Sequence, residues 1–548
     1  MTAQAASATG VRDEVQESWV PMIVIAMAQM LMSFNVAALP VSMGGMVASF
    51  NTPPTTVGTA VVMYSLGVSA FVMLGAKLGQ RFGSKIFFQT SVVLFLVAMV
   101  LMVLSPTAGV MVAAQGLAGF AGASLVPSLV ALIANHYRGR QQEKAVGWLG
   151  SARAIAGVLA FVIVGYVAAI NWRLAFGLLI VHAAVILLLS LKLRSAVARP
   201  EVRIDVGGVI LAAIAVILIS FGFNNLRNWG VLLARPAAPF DVVGVSPAPI
   251  MIALGISVFM GFFIWSHRQA AAGKTPLLAL EVVDAPREWV AVLTLFIIVG
   301  IEGATNFMVP LYIQIVQGRS SAATSVAMMP FMLTVFFTAI LIVRLYDQFT
   351  PRQLARFAFV LVTVGTLWLA FVARNDWSVP PVILGLIIVG LGQGTLVTLL
   401  FNVLVTSSPK ELAGDVGSLR GVTQNLGAAV GTAVIGALVV GVLSSGVLGH
   451  VRDNPLITAE MTAEVDLDNI NFLSNDRLRE RFEGTKASPA QIEEALRINT
   501  DTRLRALKTG FLALAAVALL AIVPCAWLPD YRPGEISGEA PTRTRGRA

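Results

Sequence analysis

The chain has 548 residues, 57% hydrophobic and 12% charged, with a net charge of +9 and a mean hydropathy of +0.82. A soluble domain carries roughly 25% charged residues, so this composition excludes a soluble enzyme. It also gives no reason to expect a nucleic-acid partner, because the basic residues sit in short loops between apolar runs, as in membrane loops. The single cysteine, Cys525, leaves no intrachain disulfide. Residues 1–17 are polar, so no cleavable signal is expected and the run from Trp19 would stay as an anchor.

Fourteen apolar runs are long enough to span a bilayer: 19–39, 56–76, 86–104, 109–134, 146–169, 174–192, 206–226, 248–266, 289–310, 322–343, 354–373, 380–405, 416–442 and 506–528. Backbone groups in lipid must be satisfied within a segment, so each is read as a helix. The predicted class is an all-α polytopic membrane protein with two six-helix pseudo-repeats and two inserted helices. Its expected parts are a tail over 1–18, a first bundle over 19–193, linkers over 194–205 and 267–288 flanking the inserted pair 206–266, a second bundle over 289–528, and a tail over 529–548. Lysine and arginine set the orientation. One side holds Lys77, Arg81, Lys85, Arg138, Arg140, Lys144 and most of the rest, whereas the opposite short loops hold only Arg173, Arg227, Arg235, Arg319 and Arg374. The positive-inside rule therefore predicts both termini in the cytoplasm of a cell (inner) membrane protein.

The polar segment 444–505 separates the last two runs and is expected outside. Ser488-Pro489-Ala490-Gln491 reads as an N-cap, a first-turn proline and a capping-box glutamine, so a helix should start there and can run into the last span; a second short helix is expected over 475–482. An internal repeat stands out. Lys77-Leu78-Gly79-Gln80-Arg81-Phe82-Gly83-Ser84-Lys85 and Arg344-Leu345-Tyr346-Asp347-Gln348-Phe349-Thr350-Pro351-Arg352 share one pattern at equivalent places, as parallel transporter repeats would.

Deep in the spans, Glu302 is the one acid, and Arg153 and Arg420 are the bases. A charged residue at the centre of a bilayer helix costs about 2.5–3.5 kcal/mol on insertion scales, so such residues default to a functional role. Glu302 is flanked by Gly300 and Gly303, with Asn306 one turn on. It can serve as a proton or cation site, with Arg153 as a second coupling candidate; the other reading is a structural ion pair between the two. Asn35, Gln115, Gln393, Asn402 and Arg420 are candidate cavity groups. Lys77, Gln80, Arg81, Lys85, Arg344, Asp347 and Arg352 are candidates for a cytoplasmic gate, although topology alone accounts for all the basic ones. Gly417, Gly421, Gly427 and Gly431 suit close helix packing. His182 reads as a satisfied interior group. The scattered histidines and lone cysteine offer no metal-ligand spacing, and no cofactor or catalytic constellation is expected.

The chain resembles the major facilitator superfamily, in particular its fourteen-helix drug:proton antiporter branch. The resemblance rests on the loop repeat, on Asn171-Trp172-Arg173-Leu174-Ala175-Phe176, on Tyr312-Ile313-Gln314 with Val316, Gly318 and Ser320 followed by Pro330, and on Gly417 to Ala433 with Asn425-Leu426-Gly427. It departs from the pattern at Gln80, where the family carries Asp, at Gln115, where it carries Arg, at Ala160-Phe161 in place of Gly-Pro, and at the end of the first helix, Ala37-Ala38-Leu39-Pro40, which no acid precedes. The resemblance implies that helices 1, 4, 9 and 12 line a central cavity, with Gln115 facing Glu302 across it. The function expected is a secondary transporter exporting amphipathic or apolar small molecules by alternating access, as a monomer in the lipid bilayer, with proton antiport through Glu302 as its sharper form. Two alternatives stand: an uncoupled or lipid-type transporter of the same fold, and a non-transporting sensor or assembly partner acting through 444–505.

Overall fold

A computed structural model describes residues 18–530 apart from 138, 195–197, 199, 236, 284–285, 346–347, 376–378, 408–412, 455, 458–471 and 484–486. The long helices are α1 (Val20–Val41), α3 (Pro54–Phe82), α4 (Ser84–Leu104), α5 (Ala108–His136), α6 (Gly139–Ile170), α7 (Trp172–Ser190), α8 (Val206–Trp229), α9 (Pro247–Ala271), α10 (Pro286–Pro310), α11 (Ser321–Leu341), α12 (Pro351–Val372), α13 (Val379–Ser407), α14 (Ala413–Asp453) and α16 (Pro489–Leu520). Two short ones, α2 (Met43–Phe50) and α15 (Asn475–Glu483), lie between them. Among the described residues, 13 helices are long and apolar enough to cross a membrane, and α6 contributes the apolar stretch Ile155–Ile170. Local sequence explains many starts. Asp205 accepts from Gly208 N–H at the head of α8, Gln353 accepts from Thr350 N–H at the head of α12, and Ser488 with Gln491 forms a capping box.

Within the first bundle α3 packs on α5 and α1 on α6; within the second, α10 packs on α14 and α11 on α13. The bundles meet along two seams, α3 against α14 and α6 against α11. The α8–α9 hairpin, tied by the Trp265 Nε1–H bond to Asp205 Oδ1 at 2.9 Å, lies against the α3/α14 seam. Ser18 and Asp530 lie on one face of the molecule, the terminal face, opposite the distal face. Both ends are anchored on the terminal face: Tyr137 donates to Ser18 O, and Arg352 to Leu528 O.

Glycine spacing does distinct jobs along α14. A Cβ on Gly431 would lie 2.0 Å from Gly300 O, and one on Gly427 2.8 Å from Phe296 O, so the backbones of α10 and α14 touch there. Gly421 instead faces Val72 of α3 at 3.3 Å, and Gly417 meets nothing within 4 Å. Gly390, Gly392 and Gly394 seat α13 between α11 and α12. Small residues allow this approach, which is how helices gain dispersion contact in lipid.

The polar segment holds more helix than hydropathy suggested. α14 runs on to Asp453 and α16 begins at Pro489, so both project past the end of their apolar runs. Gly446 and Thr502 keep the projections together. Leu478 and Phe482 of α15 form a small core with Leu496 of α16. Helix continuation depends on backbone bonding and these contacts, not on hydropathy, which is why the apolar run marked only the membrane portion.

Gly431→Val should collide with the α10 backbone, and overpacking of this kind costs typically 1–3 kcal/mol. The purified variant should melt several degrees below the parent, whereas Gly441→Ala, at a position with nothing within 4 Å, should melt with it.

Candidate functional site

Glu302 sits on α10 beside the glycine contact. Gly303, its neighbour, faces Ala428 O and Thr432 of α14, so Glu302 projects about 100° away from that contact. Residues 303–305 and 307–313 are buried, but Glu302 and Asn306 are only half-buried and share one face at i, i+4 spacing. Asn306 Oδ1 is buried without a hydrogen-bond partner. This face therefore sets an acid and a polar acceptor one turn apart on a mostly apolar stretch of α10.

Gln115 takes a different place from the one the cavity reading gave it. It exchanges two hydrogen bonds with Asn35, at 2.9 and 3.2 Å, and both residues are fully buried between α5 and α1. Two primary amides bond each other reciprocally, so one donor and one acceptor of each are spent on tying α1 to α5. Sequence reasoning missed this because the partners lie 80 residues apart. Gln393 is buried with Oε1 unbonded, and Asn402 is half-buried. Arg420 stacks over the Phe401 ring at 3.9 Å. The α10/α14 register puts Glu302 level with Gly431, so Arg420 lies about 16 Å nearer the terminal face; the two do not share a site. Arg153 lies within α6, and its side chain falls outside the described residues. His182 bonds Met27 O at 2.9 Å, an interior hydrogen bond.

The distal face is closed across the bundles. After Pro310, α10 passes into a π-helical turn, Leu311–Val316, which aims Gln314 at the first bundle. Gln314 Oε1 accepts from Gly44 N–H at 2.6 Å, and its Nε2 donates to Pro40 O at 3.1 Å. A second tie comes from the projecting segment. Arg477 donates to Asn51 Oδ1 and Ala48 O of the first bundle. Arg503, 1% exposed, holds Leu473 O, Ile315 O and Asn475 Oδ1. Residues 472–483 thus form a strap seated on α16 at both ends that reaches the first bundle through Arg477.

Two of the terminal-face residues are clamps within one bundle. Lys85 donates to Leu191 O at the end of α7, and Arg352, its repeat counterpart, donates to Leu528 O and pairs with Asp530 at 3.1 Å. Each closes its own six-helix unit in the same way. Arg81, exposed, lies near the Phe82 ring, and Gln80 and Arg344 are exposed; Asp347 lies outside the described residues. Between the bundles, the charge of half-buried Lys77 acts on Asp415, at the start of α14. Asp415 lies just outside an apolar run, so counting charges within spans passed over it.

The Major Facilitator Superfamily model matches residues 25–432. The chain belongs to the Major Facilitator Superfamily. Among curated relatives it is 25% identical over 435 residues to the "Probable actinorhodin transporter" of Streptomyces coelicolor, covering 76% of this chain and 72% of that one. It is 25% identical to the "Multidrug efflux pump LfrA" of Mycolicibacterium smegmatis, over 76% and 80%, and 23% identical to the "Tetracenomycin C resistance and export protein" of Streptomyces glaucescens, over 76% and 75%. The last two are named for efflux or export, consistent with the drug:proton antiporter branch. A solved bacterial homologue of the human lysosomal transporter Spinster, inward-facing and unoccupied, shares the fold, with TM-score 0.59 at 14% identity over 92% of this chain and 97% of that one.

The superfamily signatures now have local roles. Asn171 caps α7 by accepting from Arg173 N–H, and Trp172 Nε1–H bonds Ser49. Arg173 donates to Val103 O and Ser105 O at the end of α4 while stacking on Trp172 at 4.4 Å. Tyr312-Ile313-Gln314 is the π turn that carries the distal contact, and Ser320 caps α11.

Gln115→Leu should leave the Asn35 amide buried and unbonded, at about 1–3 kcal/mol. A thermal melt should show the loss, and adding Asn35→Leu should restore much of it. Arg477→Ala should loosen the strap by about 1 kcal/mol, roughly a five-fold change in population. Spin labels on the distal ends of α2 and α11 should then show more of the longer distance.

Proposed function

We propose that this chain exports amphipathic small molecules by alternating access, as a single chain in the inner membrane with its terminal face in the cytoplasm. The bundles rock against each other along the α3/α14 and α6/α11 seams. Glu302 takes the proton or the cationic group that couples the two states. What carries this reading is the half-buried pair Glu302 and Asn306 on a helix whose adjacent face is locked to α14 while its distal end is shut by Gln314. Cargo held there can leave on the distal side only when the Gln314 contacts break. Binding that differs between the two arrangements is what lets a proton or cargo shift them. The efflux roles in the relatives' names support cargo of this class, and the distal closure supports an arrangement that receives it from the cytoplasm.

A second reading, uncoupled or lipid-type transport, has one observation in its favour. The first bundle holds a neutral, buried amide pair, Asn35 and Gln115, bonded to each other. Proton exchange would then rest on Glu302 alone.

In proteoliposomes carrying an internal pH dye, Glu302→Gln should slow gradient-driven efflux of ethidium at least ten-fold while ethidium still binds the purified protein. If the variant keeps parental efflux at every imposed pH gradient, the uncoupled reading replaces the coupled one.

A further inference from the structure

The inserted hairpin covers the α3/α14 seam, and near the distal face the cover is incomplete. A crevice of about 110 Å³ opens between α3, α8, α10 and α14. Phe223 of α8 packs on Val62, Ala429 and Ala433 at the same seam. The wall is polar without being charged: Thr55, Thr56 and Thr59 come from α3, Asn224 and Asn228 from α8, and Thr432 from α14. Thr432 is 3% exposed, and its hydroxyl oxygen lies buried without a hydrogen-bond partner. Gly58 and Gly436 keep the space open against Phe307; a Cβ on Gly58 would meet that ring at 3.0 Å.

The outer surface of α8 supplies the other half of the site. Ile210, Ile214, Ile217 and Phe221 are exposed apolar residues. Their alternating steps of four and three put them on one helical stripe, and the next two positions of that stripe are Asn224 and Asn228. An apolar track along the membrane therefore runs directly into an amide- and hydroxyl-lined recess. The recess is well below the 300–1,000 Å³ of a drug-sized pocket, so it suits a head group and not a whole compound.

We propose that this crevice binds the uncharged, hydroxyl- or carbonyl-bearing head of a single-chain amphiphile drawn from the distal half of the bilayer, with the chain laid along the α8 stripe. Threonine hydroxyls and asparagine amides both donate and accept, which matches a polyol or ester head. With no charged group among the described lining residues, an ionised head would lose hydration without compensation. The inserted pair is then a lipid-facing binding element at the seam that opens during transport. Binding at this site is read without transport, so failure of the export proposal would leave it standing.

The test uses the full chain in nanodiscs with a monoacylglycerol bearing a diazirine near its head, followed by mass mapping of the label. Labelling should concentrate on the segments around 55–59 and 214–228. Unlabelled monooleoylglycerol should compete at least ten-fold better than oleic acid or oleylamine. Asn224→Leu with Asn228→Leu should cut this labelling at least five-fold, while labelling of the exposed α12 residues Phe357 and Phe371 stays constant. Thr432→Val, which keeps side-chain volume, should lower it in the same direction and decides the matter if the double variant does not fold. Equal labelling of α8 and α12, equal competition by the charged amphiphiles, or labelling unchanged in the folded variants would overturn the proposal.

Discussion

The contact on which the rest depends is the touching of two backbones, α10 and α14, at Gly300, Gly303, Gly427 and Gly431. In lipid no water is expelled when helices meet, so association rests on close dispersion contact and on hydrogen bonds. Removing four side chains lets the helices approach until carbonyls lie against Cα atoms. That fixes the rotation of α10 about its axis and so fixes where Glu302 points. An acid on a loosely packed helix could rotate toward lipid or snorkel; here rotation would drive a backbone into its neighbour.

Around that fixed element, the polar contacts fall into two sets. Lys85 and Arg352 close the ends of their own six-helix units, and Asn35 with Gln115 ties α1 to α5. These make each bundle behave as one body. Contacts between bundles are of another kind: Gln314 to the Pro40–Gly44 backbone, and Arg477 to Ala48 and Asn51. They lie at the ends of the seams, most involve uncharged or backbone partners, and all can be broken without leaving a charge buried in lipid. Rigid units joined by exchangeable end contacts are what a rocking mechanism requires.

The inserted hairpin and the projecting strap bear on the same seams from different sides. α8 covers the α3/α14 line within the membrane, while α15 and the heads of α14 and α16 bridge the bundles beyond it. Arg503 shows how the bridge is held. Its guanidinium is buried yet bonded to carbonyl and amide oxygens in place of a carboxylate, so the strap is set by geometry as much as by charge.

The sequence by itself determined the class, the spans and the two-unit plan, because lipid enforces helices and hydropathy measures their length. It also marked Glu302, since a deep acid is costly wherever the helix lies, and it found the start of α16 because Ser488 and Gln491 act locally. Only the tertiary structure decided that Gln115 answers Asn35 and not Glu302, that Arg420 lies well away from Glu302, that Lys85 and Arg352 serve their own bundles, and that α14 continues to Asp453. Each of these depends on which residues distant in sequence come to the same depth and the same helix face. Hydropathy carries neither quantity; the glycine contacts that set helix register and rotation do.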